Sequence, residues 1–186
     1  NPLGTGKRPY DVYVYSNAGS PALELVAWTN RTTRATVLTT QNGVKVKTGD
    51  TSRRYIGVIS TTLTLGQCEF MVSGGTTVTQ KILVQNYYNK LPAPVFIAET
   101  TDTWNWTTVA WRQLNGSKYN QFDFVDGDGE MLLNAMLTYE SYTTSGALDA
   151  YGAFGLDQAT TVNSATVGHV SAVVNTNSIG YAVYNN

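Results

Sequence analysis

Residues 10–29 read YDVYVYSNAGSPALELVAWT, and their pattern decides the fold class. From Tyr10 to Tyr15, Val12 and Val14 fall on one face and Tyr13 and Tyr15 on the other, the period of two that a half-buried strand requires. Residues 16–21 (SNAGSP) interrupt with turn formers, and residues 23–29 (LELVAWT) resume an extended pattern. The stretch predicts an antiparallel hairpin with a loop of about five residues. Trp28 is expected as a core or edge-covering aromatic.

Further along, Gln41-Asn42-Gly43 separates two β-prone runs, and Asn-Gly in that setting is the strongest short-range hairpin signal. Lys45 and Lys47 alternate with Val44 and Val46, which places two charges on one exposed face and predicts an edge strand guarded against pairing. Residues 53–60 read as a strand interrupted by Gly57. Residues 69–72 and 76–86 read as strands flanking the Gly74-Gly75 turn.

Leu91-Pro92-Ala93-Pro94 is the clearest punctuation, because two prolines so close favour an extended connector. It divides the chain into an expected N-terminal β module, residues 1–91, and a C-terminal one, residues 92–186. In the second, residues 104–113 are rich in Trp and Thr, with Trp104 and Trp106 sharing parity in a strand. Asn115-Gly116-Ser117 marks a turn, Phe122 and Phe124 alternate with polar neighbours, and Asp126-Gly127-Asp128-Gly129 marks another turn. Residues 130–142 compete as helix on propensity, but the glycine-rich flanks and Tyr139, Tyr142 and Thr143 favour strand. Residues 148–156, 161–174 and 179–184 supply the remaining strands. Short strands with regular turn signals predict an all-β chain, an antiparallel β-sandwich or jelly-roll-like fold in two small modules.

Composition narrows the function. Of 186 residues, 42% are hydrophobic and 13% charged, enough to build a core and too little charge for a disordered polyelectrolyte. Twelve basic against thirteen acidic residues give a net charge of -1, which leaves no excess with which to neutralise phosphates, so nucleic acid is not the expected partner. No run approaches the roughly 18 apolar residues that read as a membrane span, and no membrane insertion is expected. The single Cys68 forms no internal disulfide and reads as a small buried or half-buried side chain. The chain begins at Asn1 rather than Met, as an excerpt or processed product would.

Three carboxylates within residues 126–130 (Asp126, Asp128, Glu130) form a candidate for a hard cation, although acidic glycine-rich turns arise equally from backbone geometry. Tyr87, Trp104, Trp106 and Trp111 lie among Asn, Thr and Gln, the surroundings in which sugar rings stack and hydrogen-bond. The same aromatics suit a core or a subunit interface. Asn30, Asn105 and Asn115 begin glycosylation-type triplets. His169 with Asp149 or Asp157 and a serine could be written as a triad, but no Gly-x-Ser-x-Gly elbow accompanies it. Arg31, Arg34, Arg53 and Arg54, interleaved with Thr, read as a solvated or intersubunit face rather than an anion site.

Three blocks carry a resemblance. Residues 23–38 (LELVAWTNRTTRATVL) run on to residues 41–49 (QNGVKVKTG) and 53–57 (RRYIG). Residues 84–90 (VQNYYNK) and 102–116 (DTWNWTTVAWRQLNG) follow in the same order. Together they resemble a largely uncharacterised group of bacteriophage virion surface proteins of the tail-fibre or appendage kind. The resemblance extends over most of the chain, through Gly155-Leu156-Asp157, Thr160-Thr161 and Gly180-Tyr181. It implies that the block at Asn86-Tyr87-Tyr88-Asn89 closes one β module and the Trp-rich block opens the next, and that more chain precedes Asn1.

The resemblance further implies a structural virion component: a homo-oligomer, trimeric by expectation, in a tail-fibre, spike or capsid-decorating role at the virion surface among other virion proteins. It implies no catalytic residue and no cofactor. A second reading is a host-attachment module that binds surface carbohydrate through Tyr87, Trp104 and Trp106. A third is a polysaccharide hydrolase, whose paired carboxylates, such as Asp123 and Asp126, would stand about 5 to 9.5 Å apart.

Overall fold

The computed structural model describes residues 7–64, 66–71, 79–101, 104–105, 107–117, 119–129, 132–142, 146, 148–155, 168–172 and 177–185. The chain is all-β, with one 3-10 turn at Leu114–Gly116 among the described residues. The expected first hairpin consists of β1 (Pro9–Asn17) and β2 (Ser20–Ala27), in register from Tyr10 opposite Ala27 to Asn17 opposite Ser20. Its loop is two residues rather than five, because Ala18 (φ 50) and Gly19 (φ 87) both adopt the left-handed conformation of a type I′ turn. Pro21 therefore lies within β2. It sits one pair beyond the hairpin closure, where its missing N–H faces the outer edge of the sheet and not β1.

β3 (Leu38–Gln41) and β4 (Val44–Lys47) close on Asn42 (φ 50) and Gly43 (φ 79), the hairpin that Asn-Gly announces. β5 (Asp50–Ser60) pairs with both β1 and β4, giving the sheet order β2-β1-β5-β4-β3. This corrects the reading of residues 44–47 as an edge strand: β3 takes the edge and β4 lies inside. Lys47 is not a solvated guard, since its ammonium meets Glu24 of β2 at 2.5 Å and Arg53 meets the other oxygen of the same carboxylate at 2.6 Å. A charge alternating with valine carries no mark of whether a carboxylate waits across the sheet.

Gly57 does interrupt β5. Tyr13 is opposite Tyr55 and Val12 opposite Gly57, so Ile56 is an extra residue bulged against β1. The bulge resets the pleat, placing Tyr55 and Val58 on the same face as Tyr13 and Asp11. It also brings β8 (Val84–Asn86) tight against β5: a Cβ on Gly57 would overlap the Gln85 carbonyl oxygen and stand 3.2 Å from its carbon.

A smaller sheet joins β6 (Phe70–Met71), β7 (Gln80–Ile82) and β9 (Phe122–Phe124), with β6 antiparallel and β9 parallel to β7. The run from β7 into β8 changes sheets at Leu83. Its N–H donates to the Glu69 carbonyl (3.1 Å) on the β6 side, and its own carbonyl accepts from Ser60 of β5 (2.8 Å). Trp28, Val58 and Val125 cluster as the buried core, one residue following β2, one on β5 and one following β9. The glycine turn expected at Gly74-Gly75 lies outside the described residues.

The chain divides into two compact units, Asn1–Thr100 with Lys118–Glu130, and Thr101–Ser117 with Met131–Asn186. In the second, β10 (Asn134–Tyr142) pairs with β13 (Asn177–Asn185), and β11 (Leu148–Gly152) with β12 (Gly168–Ala172). Exposure alternates residue by residue along β10, which is the strand signature and not the helical one. Gly152 lets the Tyr139 ring lie against the β11 backbone, and the Tyr139 hydroxyl donates to the Ala150 carbonyl at 3.2 Å.

Candidate functional site

A connected polar group in the first unit begins with an acid inside a strand. Asp11 is fully buried on the Tyr13 face of β1. An isolated carboxylate there would be costly, and Arg34 answers it with Nε 3.0 Å from each carboxylate oxygen. A terminal nitrogen of Arg34 donates to the Tyr55 hydroxyl at 3.2 Å, while its guanidinium lies 4.7 Å from the Trp28 ring centre and 5.5 Å from that of Tyr55. The Trp28 indole N–H and Tyr13 hydroxyl approach the carboxylate without reaching full hydrogen-bond geometry. Burial raises the Asp11 pKa above its ordinary 3.8, and Arg34 opposes the rise. Burial also pushes the Tyr13 and Tyr55 phenols well above 10, with the Asp11 charge adding to both, so they stay neutral. The group therefore clamps the residues between β2 and β3 onto the sheet.

This clamp corrects the arginine reading. Arg34 holds a buried acid, Arg53 binds Glu24 and lies 3.6 Å over the Tyr15 ring, and Arg54 lies 4.5 Å over Tyr88. Only Arg31 of the four is a plainly solvated side chain with no partner among the described residues. The overlooked signal is Asp11 itself, an acid with the parity of Tyr13.

Tyr87 joins a tyrosine chain. Tyr13 to Tyr55 is 5.8 Å between ring centres, Tyr55 to Tyr87 5.5 Å, and Tyr87 to Tyr88 4.9 Å, and Lys90 Nζ lies 5.3 Å over Tyr87. With neighbours on this many sides, Tyr87 packs more than it presents a face to a sugar. Tyr87 belongs to the first unit, Trp104 and Trp111 to the second. Trp104 is 39% exposed and Trp111 37%, with the Arg112 guanidinium 5.6 Å from the Trp104 ring. Trp106 lies outside the described residues. The strand expected around Trp104 is absent from the described residues there: Ala110 N–H turns back to the Thr108 carbonyl (2.8 Å) and leaves Val109 at the apex. Aromatic and Thr content favours strands, but among the described residues no strand pairs with this segment.

The acidic turn is bound up in its own surroundings. Asp126 Oδ1 accepts from the backbone N–H groups of Asp128 (3.3 Å) and Gly129 (3.1 Å) and from the Gln85 amide at 3.4 Å. Gln85 in turn accepts from the Gly127 N–H at 2.6 Å, and Asp128 meets Lys90 at 2.5 Å. Glu130 lies outside the described residues, and among those described no three His, Cys, Asp or Glu converge as metal ligands. The hydrogen bonds are those of a turn that locks onto β8.

The register sets Asp149 opposite Ser171 and Tyr151 opposite His169; Asp157 lies outside the described residues. Asp123 is opposite Lys81. Cys68 is half-buried, and burial raises its thiol pKa. No protein-family model, curated protein or solved structure matches this chain.

Proposed function

We propose that this chain is a structural, non-enzymatic component of a bacteriophage virion, a segment of an oligomeric surface appendage such as a tail fibre, spike or capsid-decorating protein. The observation that carries the reading is the apolar surface left outside both units. Leu23, Val37, Leu63, Leu91 and Phe96 in the first, and Val109, Leu132 and Met136 in the second, are all more than three-fifths exposed. Scattered exposed apolar side chains are ordinary, but so many large ones among the described residues suit a surface covered in an assembly. Order-of-blocks resemblance to virion surface proteins supplies the kind of assembly, and a trimer its expected symmetry.

Light scattering coupled to size exclusion tests this at micromolar concentration. The expected mass is about three times 20.2 kDa. A monodisperse monomer defeats the assembly reading.

Host-surface carbohydrate binding is the second reading, favoured by the partial exposure of Trp104 and Trp111. Quenching by a neutral solute should reach these indoles and be relieved by a bound glycan. Quenching unchanged across a panel of host glycans removes Trp104 and Trp111 as a platform.

A further inference from the structure

The first unit holds an arginine whose binding capacity is left over. Arg53 and Arg34 each hold a carboxylate, but Arg54 does not. Its Nε donates to the Tyr88 hydroxyl at 3.1 Å, and its guanidinium lies 4.5 Å over the Tyr88 ring. Among the described residues nothing accepts a hydrogen bond from its two terminal nitrogens. A guanidinium stacked and bonded in this way has little rotamer freedom left to lose, and its unused edge is the one that matches a carboxylate through two parallel hydrogen bonds.

Arg54 also lines a shallow groove. Val14 of β1 lies opposite Arg54 of β5, and Ser16 opposite Pro21 of β2. Val14, Tyr15, Ser16, Gly19 and Pro21 line the groove with Arg54, and its lining is mostly apolar. Gly19 contributes no side chain because the I′ turn requires its φ of 87. The result is one cation held by Tyr88 and one exposed serine in an otherwise mostly apolar lining. A pyranose with an apolar C–H face and an equatorial carboxylate complements this arrangement, whereas a neutral sugar leaves the guanidinium unanswered.

We propose that this groove binds a saccharide unit bearing a carboxylate, a uronic or sialic acid, with Arg54 taking the carboxylate and Val14 and Pro21 the ring. The site lies wholly in the first unit and owes nothing to Trp104, Trp111 or the oligomeric state.

The test is a titration of the whole chain, isotopically labelled, with glucuronic acid and with N-acetylneuraminic acid, read by amide chemical shifts. At least one acid should give saturable shifts centred on Val14, Tyr15, Ser16, Gly19 and Arg54. Glucose, lacking the acid, and acetate, lacking the ring, should each bind at least tenfold more weakly. Arg54→Ala should weaken binding of the acid at least tenfold and Arg54→Lys by less. Ser16→Glu changes an exposed position and sets a carboxylate beside Arg54, so it should abolish binding with the fold intact, whatever Arg54→Ala does to stability. No saturable shift with either acid, shifts centred elsewhere, or equal response to glucose overturns the proposal. Equal binding of acetate or of a glutamate-containing peptide reduces the groove to a simple anion contact and overturns it as well.

Discussion

Arg34→Ala is expected to destabilise the first unit by about 3 to 5 kcal/mol at neutral pH, because it removes the cation that answers the buried Asp11 carboxylate. The lower end is expected, since a fifth of the arginine side chain is exposed. The loss should depend on pH with a definite sign. Burial already holds the Asp11 pKa above 3.8, and removing Arg34 takes away the largest opposing influence, so the carboxyl shifts further up in the variant. A carboxyl whose folded pKa is raised contributes stability that is full below the unfolded value and is lost as pH rises through the folded one. The gap between wild type and Arg34→Ala should therefore narrow as pH falls toward the ordinary carboxylate range. Urea melts at a series of pH values measure this directly. A gap that stays constant or widens in acid means that Asp11 is not the group left unanswered. Glu24 supplies a contrast within the same sheet. Lys47, then Arg53, hold its pKa below 4.5, so its contribution is present above that value and fades as pH falls through the lowered one.

Gly57→Ala is expected to cost roughly 3 kcal/mol, by a different mechanism. The added methyl would overlap the Gln85 carbonyl, so β8 must move away from β5. Displacement endangers the Tyr87 N–H bond to the Ile56 carbonyl (3.0 Å) and the Gln85 side chain's hold on Gly127. The φ of 156 adds a backbone conformation that alanine seldom adopts. Gly127→Ala is an internal comparison, because its Cβ would meet Val58 Cγ1 at 2.5 Å and the Tyr55 hydroxyl closer still, in the core rather than at a strand backbone. Amide exchange should separate the two: Gly57→Ala speeds exchange at residues 84–87 first, while Gly127→Ala loosens the Tyr55 and Val58 region. Wild-type stability and exchange in Gly57→Ala would mean that the strands are further apart than described.

The sequence made the backbone plan legible where local chemistry fixes it. Asn42-Gly43 forced one hairpin, the alternation around Tyr13 another, and the glycine-rich flanks of residues 134–142 a strand where propensity alone allowed helix. Legibility stopped where a choice rests on a distant residue. Ala18 takes a left-handed conformation because the paired strands outweigh its modest local strain, and that shortened the first loop. Lys47 and Arg34 looked solvent-facing because Glu24 and Asp11 stand 23 residues away from each. Of the aromatic candidates, Tyr87 could be placed in an aromatic run but not in its tyrosine chain, which exists only once β8 lies beside β5. The Arg54 groove has no local signature, since its parts come from β1, β2, β5 and the segment after β8.

The parallel pairing of β7 with β9 sets Gln80 opposite Phe122, and the first unit draws Lys118–Glu130 from beyond the stretch that begins the second. A growing chain thus cannot finish this unit when residue 100 has been made. Val125, Gly127 and the third strand of the smaller sheet are still to come, and until they arrive one side of Trp28 and Val58 lacks its cover. Such late, non-local closure slows folding and prolongs the exposure of unpaired strands. A gene cut after Pro94 would yield a fragment arrested in that half-closed condition, and the two units could be separated only by rejoining pieces of chain in a new order.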